Sequence, residues 1–167
     1  MTDTVFENIR KECLRIEEDV LHSGKSHCNA SAMWSWIHYL IGIPMTIFAA
    51  WAGIDAFSEN SQFSGYLSLI TATLAALQTF ISPSDKSSKH KSAGTEYFRL
   101  KNQTRIFREI ELDESDKTEA KKAICLLAQN RDDLNSISPS IPYLAFWLAR
   151  KGINRGNAVY NVDKGAN

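Results

Sequence analysis

The stretch that decides the fold is WSWIHYLIGIPMTIFAAWAGIDAF, residues 34–57, which carries no charged side chain before Asp55. A second uncharged window lies between Glu59 and Asp85, while the rest of the chain is densely charged. A soluble helix normally carries charge on its wet face at every turn or so. Because each window exceeds the roughly 20 residues that cross the hydrocarbon of a bilayer, the sequence predicts two transmembrane helices.

The residues that flank the two windows are typical of a hairpin with a short outer loop. Trp34 and Trp51 lie near the two ends of the first span, and Tyr66 and Phe80 near those of the second, as interfacial aromatic belts require. Lys and Arg residues precede and follow the spans but are absent from the connecting stretch, residues 55–65. By the positive-inside rule, both termini are then cytoplasmic.

The prediction is an all-α membrane protein, with a two-helix transmembrane hairpin and a cytoplasmic helical bundle built from the N- and C-terminal segments. Its parts are, in order, a cytoplasmic N-terminal helix (1–33), transmembrane helix 1 (34–57), an external loop (58–64), transmembrane helix 2 (65–83), cytoplasmic C-terminal helices (84–155) and a disordered tail (156–167). Pro83 is predicted to end the second span, and a polar break is predicted over residues 82–92.

Apolar periodicity predicts which side chains the bundle helices bury. A helix over residues 93–112 places Tyr97, Leu100, Phe107 and Ile110 on one side. Another helix starts near Glu114 and turns Ala120, Ile124, Leu127 and Leu134 inward, and a last short helix follows the break SISPSIP. The N-terminal helix carries a narrow apolar seam of coiled-coil spacing, formed by Phe6, Ile9, Cys13, Ile16 and Val20. The seam either holds an oligomer together or packs on the chain's own C-terminal helices.

A stripe of polar and small residues follows the second span. Its members are Ser68, Thr71, Ala75, Gln78 and Ser82. Small residues let membrane helices pack closely, and Ser, Thr and Gln hydrogen-bond between them. The stripe is therefore either a packing face or the lining of a pore that several copies enclose. His38, in the first span, is either a functional ionisable group or an interfacial anchor.

Motifs for catalysis, cofactors and metals are missing from the sequence. SGKS, residues 23–26, lacks the earlier glycine of a phosphate-binding loop because Asp19 occupies that position, and it is interpreted as a polar break before the membrane. His22, His27 and Cys28 lack the further ligands that a four-coordinate metal site needs. The sequence thus predicts neither an enzyme nor a cofactor, a metal site or a nucleic-acid partner.

The layout of the chain resembles the SMODS- and SLOG-associating two-transmembrane (SLATT) effector domains, small bacterial membrane proteins of nucleotide-signalled antiphage systems. Three stretches carry the resemblance: KSHCNASAMW (25–34), KHKSAGTEYFRL (89–100) and ISPSIPYLAFWLARKGINRG (137–156). The family-like positions within them are His27, His90, Tyr97, Leu100, Pro142 and Tyr143.

The resemblance implies an oligomeric pore-forming effector that permeabilises the bacterial inner membrane on infection. Its partners are then the lipid bilayer, further copies of the chain and a nucleotide-signalling protein encoded nearby. Two helices per chain cannot enclose a channel, so a pore requires a homo-oligomer. The alternative function is a non-conducting membrane anchor or scaffold that recruits a cytoplasmic partner through the helical bundle.

Overall fold

The computed structural model describes residues 4–57 and 62–154, and the regular structure of these residues is entirely helical. In chain order the elements are α1 (Thr4–Asp55), α2 (Gln62–Ile81), α3 (Pro83–Ile106), a π turn (Phe107–Glu111), α4 (Lys117–Ile137) and α5 (Tyr143–Asn154). The chain divides into two compact units: Ser31–Ser88, called the hairpin unit, and the described residues of Met1–Ala30 and Lys89–Asn167, called the bundle unit. The predicted all-helical fold is confirmed.

Two helical stretches, within Thr4–Asp55 and Gln62–Glu111, are long and apolar enough to cross a membrane. Only 6% of each apolar window is buried. The central helix of a soluble domain would instead be covered on most of its surface, because apolar residues are buried in a soluble core. One copy of the chain therefore leaves these windows free to contact lipid or other copies.

Helix α1 overturns the predicted polar break at residues 23–26 and joins the predicted N-terminal helix and first span in one continuous helix. It runs without interruption through SGKS, the predicted polar break, and through Pro44. Gly24 is buried in this stretch, where a β-carbon would lie 3.0 Å from the Phe98 ring. The glycine thus allows close packing between α1 and α3 and does not end the helix.

The break after the second span is a single residue rather than the predicted stretch 82–92. Ser82 has a positive φ of 47°, and its N–H and hydroxyl donate to the carbonyl oxygens of Gln78 (3.0 Å) and Thr79 (2.8 Å). Pro83 then begins α3, because proline suits the first helical position, where its missing N–H costs nothing. Helix α2 begins at Gln62, within residues 58–64, which were predicted as a loop.

The core of the bundle unit is apolar and draws on α1, α3, the π turn and α4. Its buried members are Ile9, Cys13, Ile16, Val20, Tyr97, Leu100, Phe107, Leu112, Ala120, Ile124 and Leu127. Helix α4 starts where the Asp116 carboxylate accepts hydrogen bonds from the N–H groups of Thr118 and Glu119, as helix N-caps do. The inward positions predicted for α4 are confirmed, with Leu134 partly buried against this core.

The π turn overturns one predicted core position. Ile110 is 61% exposed, whereas Leu112 is fully buried. A π turn inserts an extra residue into the helical repeat, which rotates the following side chains away from the positions that α-helical spacing assigns. The predicted tail, residues 156–167, lies outside the described residues.

Candidate functional site

The apolar seam of α1 lies inside the bundle unit of a single chain. Ile9, Cys13, Ile16 and Val20 are buried in its core, and Phe6 packs against that core while partly exposed. Burial and the Glu17 carboxylate raise the pKa of the Cys13 thiol to about 11, so the thiol stays protonated and unreactive at neutral pH. The four buried side chains thus pack within one chain, which is the second of the two roles predicted for the seam, and Phe6 keeps part of its surface exposed.

Two histidines, far apart in the sequence, form the most unusual contact of the bundle unit. Nδ1 of His27 lies 2.9 Å from Nδ1 of His90, and the two residues are only 1% and 4% exposed. Close packing brings their helices together: a β-carbon on Gly94 would lie 3.0 Å from Sγ of Cys28. Because one imidazole must donate and the other accept, the pair shares a single proton at this contact.

Tyr97 connects the histidine pair to the protein surface. Its ring stacks on the His27 ring with centroids 5.4 Å apart and planes 16° apart. Its hydroxyl donates to Oδ1 of Asn135, on α4, at 2.8 Å. The family-like positions His27, His90 and Tyr97, chosen from separate stretches, thus meet in one cluster, and Leu100 is buried one turn further along α3.

Electrostatics keep the histidine pair neutral. Burial, together with the neighbouring His90, lowers the pKa of His27 to about 4, and burial also lowers the pKa of His90. A charged imidazole is costly away from water, and a second one beside it adds repulsion. At neutral pH the cluster therefore acts as a neutral hydrogen-bonded link between α1 and α3.

An open cleft of about 450 Å³ lies beside this cluster in the bundle unit. Tyr97 and Asn135 form part of its wall, and its charged border is made by Glu18, Asp19, Arg131 and Arg150. Arg131 is 3.5 Å from the Asp19 carboxylate and 2.9 Å from that of Asp132. Because these charges largely balance one another, the cleft has no strong preference for an anionic ligand.

In the hairpin unit, the stripe on α2 is divided between two environments. Gln78 is half-buried, with Nε2 3.3 Å from Nδ1 of His38 on α1, and a β-carbon on Gly42 would lie 3.5 Å from its Oε1. Thr71 and Ala75 are also half-buried, whereas Ser68 and Ser82 are exposed. His38 thus contacts the polar stripe directly.

One exposed hydroxyl group on α2 was not part of the predicted stripe. Thr79 lies next to Gln78 on α2, is exposed, and donates to the Ala75 carbonyl oxygen at 2.9 Å. By helical rotation of about 100° per residue, it shares a face with Ser68 and Ala72, which are exposed as well. This hydroxyl face lies next to the side of α2 that packs on α1. The predicted stripe, whose members are three or four residues apart and include Gln78, does not contain Thr79.

The remaining predicted positions lie at the start of α5. Pro142 is half-buried directly before the helix and Tyr143, its first residue, is 82% exposed.

In the part of the chain that the structure describes, no three His, Cys, Asp or Glu side chains come together as metal ligands. No family model, curated protein or solved structure matches the chain.

The histidine pair predicts that the bundle unit loses stability in mild acid. Since the folded-state pKa of His27 is depressed from 6.5 to about 4, the unfolded chain binds the proton first and stability falls as pH drops through this interval. Between pH 7 and 5 we expect a loss of about 2 kcal/mol from His27 alone, measured by thermal melting of the detergent-solubilised protein.

A matched control separates this effect from general acid sensitivity. His22→Gln removes a half-buried histidine of α1 outside the pair and should leave the acid-induced drop in melting temperature unchanged. His27→Gln should reduce that drop. If both variants behave as the parent protein, the pair does not control the acid response.

Proposed function

We propose that the protein is an oligomeric, pore-forming effector of a bacterial nucleotide-signalled antiphage defence system, and that it permeabilises the inner membrane. The observation that carries the proposal is the pair of long apolar helices, each window only 6% buried in one copy, with hydroxyl groups exposed along α2. Such surfaces suit contacts with lipid on one side and with further copies on another. The resemblance to the SLATT domains supplies the defence context.

The proposed topology places both termini in the cytoplasm and the turn between α1 and α2 outside. The bias of Lys and Arg toward the segments on either side of the hairpin supports it. The bundle unit is then cytoplasmic. A nucleotide-signalling protein encoded nearby, a ligand of the bundle unit or a change in assembly would trigger the pore.

The hydroxyl face of α2, defined by Ser68, Ala72 and Thr79, is the proposed pore lining. Ser68 was predicted from the stripe, whereas Gln78 is occupied by its contact with His38. The Thr79 hydroxyl donates to the helix itself, so its oxygen retains acceptor capacity for water or a cation. A ring of such groups from several copies would line a narrow aqueous path.

Leucine substitutions test this lining. Ser68→Leu and Thr79→Leu should reduce leakage from protein-containing liposomes by at least about tenfold, because apolar constrictions exclude water and ions. Thr73→Leu is the matched control: Thr73 is also exposed and also donates to the preceding turn, at 2.8 Å to Leu69 O, but points to another side of α2. Oligomer size is measured for every variant.

Selective loss of leakage, with oligomer size unchanged, is the expected result. Full leakage from Ser68→Leu and Thr79→Leu in normally assembled protein would contradict the pore lining. Loss of assembly in these variants alone would assign the hydroxyl face to packing between copies.

A non-conducting anchor or scaffold is the second candidate function. The contact between Gln78 and His38 favours it, since it shows that part of the polar stripe packs the two helices of one hairpin. An anchor would recruit a partner through the bundle unit, would not be toxic on overproduction and would tolerate Thr79→Leu. A pore-forming effector should be toxic and lose that toxicity with Thr79→Leu.

A further inference from the structure

Helix α5 presents an aromatic and basic face that the bundle unit leaves exposed. Ala145 and Ala149 mark its inward side, at 0% and 2% exposure. Tyr143, Trp147 and Lys151 follow one another at intervals of four residues on the opposite side, and so share one outward face. Tyr143 is 82% and Trp147 44% exposed, although both side chains are large and partly apolar.

The charge of this face has a single sign. Arg150 and Lys151 are exposed, and no Asp or Glu occurs between residues 134 and 154. Nζ of Lys151 lies 4.7 Å from the centre of the Trp147 ring, so cation and aromatic ring stand side by side. Arg150 also borders the cleft that contains Glu18 and Asp19. Leu144 and Leu148, both exposed, extend the apolar part of the face.

The position of α5 along the chain's first helix provides the second argument. Nδ2 of Asn29 donates to the carbonyl oxygen of Ala145 at 3.3 Å, which fixes the start of α5 to α1. Asn29 precedes Trp34, the first residue of the predicted first span, by five residues in the sequence. The segment that holds α5 is therefore a sequence neighbour of the proposed span.

We propose that α5 docks on the anionic lipid surface of the membrane that the hairpin crosses. Trp147, Tyr143 and the flanking leucines would enter the boundary between headgroups and acyl chains, where amphipathic aromatic rings are favoured. Arg150 and Lys151 would contact lipid phosphates while their alkyl stems cover apolar surface. The inference rests on the membrane-crossing part of the proposed function.

The chemistry of the face favours lipid over a second copy. If two copies paired through this face about a two-fold axis near Trp147, Arg150 and Lys151 of each would lie beside Leu144 and Tyr143 of the other and would gain no opposite charge. Anionic headgroups instead provide a continuous complement of opposite charge. Each Lys or Arg near such a surface strengthens attachment about fivefold.

Depth measurements on the full-length chain test the docking. A nitroxide label is placed on Tyr143→Cys in a Cys28→Ser, Cys125→Ser background, and the buried Cys13 is left unchanged. The protein is reconstituted in nanodiscs of phosphatidylcholine, with and without phosphatidylglycerol. In anionic discs the label should be more accessible to oxygen than to an aqueous nickel complex. Arg150→Gln with Lys151→Gln should weaken the docked state roughly 25-fold.

Two further label positions separate the possible outcomes. Gln129→Cys, exposed on α4, should contact water in all discs, and Leu69→Cys, 67% exposed on α2, should contact lipid in all discs. Leu69 in lipid with Tyr143 in water would overturn the docking alone. Leu69 in water would refute the membrane-spanning arrangement and the docking with it. A Tyr143 label shielded from both reagents, with spin coupling between copies, would assign the face to a second copy and overturn the proposal.

Discussion

The Ile16→Asp variant is expected to lose the folded structure of the bundle unit. Ile16 is fully buried, between turns of α1 whose seam neighbours Cys13 and Val20 are also fully buried. Removing a buried isoleucine costs about 2–5 kcal/mol, and placing an unpaired carboxylate there costs several more. The sum is comparable to the whole stability of a domain, about 5–15 kcal/mol. Thermal melting by circular dichroism and limited proteolysis should both show the loss.

The matched control lies two residues away on the same helix. Leu14→Asp introduces the same carboxylate at a position that is 48% exposed, and should change stability by no more than about 0.5 kcal/mol, as surface substitutions do. Equal stability of the two variants would show that the seam is not a core. If Ile16→Asp unfolds as expected and the oligomer is lost as well, that loss follows from unfolding, because the seam packs within its own chain.

The two long apolar helices were predictable because the absence of charge is a strong local signal. The absence of Asp, Glu, Lys and Arg over each window of residues predicts the two apolar helices directly. The inward side of α4 was also accessible, since Ala120, Ile124 and Leu127 recur at helical spacing on an otherwise charged helix. In both cases neighbouring residues in the sequence contain all the information needed.

The misplaced elements depend on contacts that local patterns do not contain. SGKS resembles a break because glycine lowers helix propensity, yet packing against Phe98 keeps Gly24 helical. The π turn at residues 107–111 replaces the regular repeat, so Ile110, which was predicted inside, is exposed and Leu112 is buried. Tertiary packing thus outweighed propensity in the first case and altered the helical period in the second.

The histidine cluster was accessible only in part. His27 and His90 are 63 residues apart, and no periodicity connects them; the resemblance marked both as positions of interest without placing them together. No pattern in the sequence indicated a role for Asn135 or Gly94. Each matters only because another helix comes close: Asn135 accepts from Tyr97, and Gly94 leaves room for Cys28.

The ion pair between Arg108 and Glu17 predicts the second large effect. Nε and Nη2 of Arg108 donate to the two carboxylate oxygens of Glu17 at 2.7 and 3.3 Å, and the side chains are only 17% and 12% exposed. The Glu17 carboxylate raises the pKa of Arg108, which therefore stays charged. Because Arg108 belongs to the π turn, the pair fixes that turn to α1.

Arg108→Met is expected to cost about 3–5 kcal/mol, since it leaves the Glu17 carboxylate largely buried without its partner. Glu17→Gln combined with Arg108→Met should recover most of the lost stability, because the double change removes the uncompensated charge together with the pair. Arg10→Met is the matched control: it breaks the Arg10–Asp113 pair, whose side chains are 40% and 67% exposed, together with the 3.3 Å hydrogen bond from Nη1 of Arg10 to the Arg108 carbonyl oxygen, and should cost at most about 2 kcal/mol. Chemical denaturation of the three variants separates these values. Equal losses for Arg108→Met and Arg10→Met would mean that water screens both pairs alike and would contradict the expected effect of burial on the Arg108–Glu17 pair.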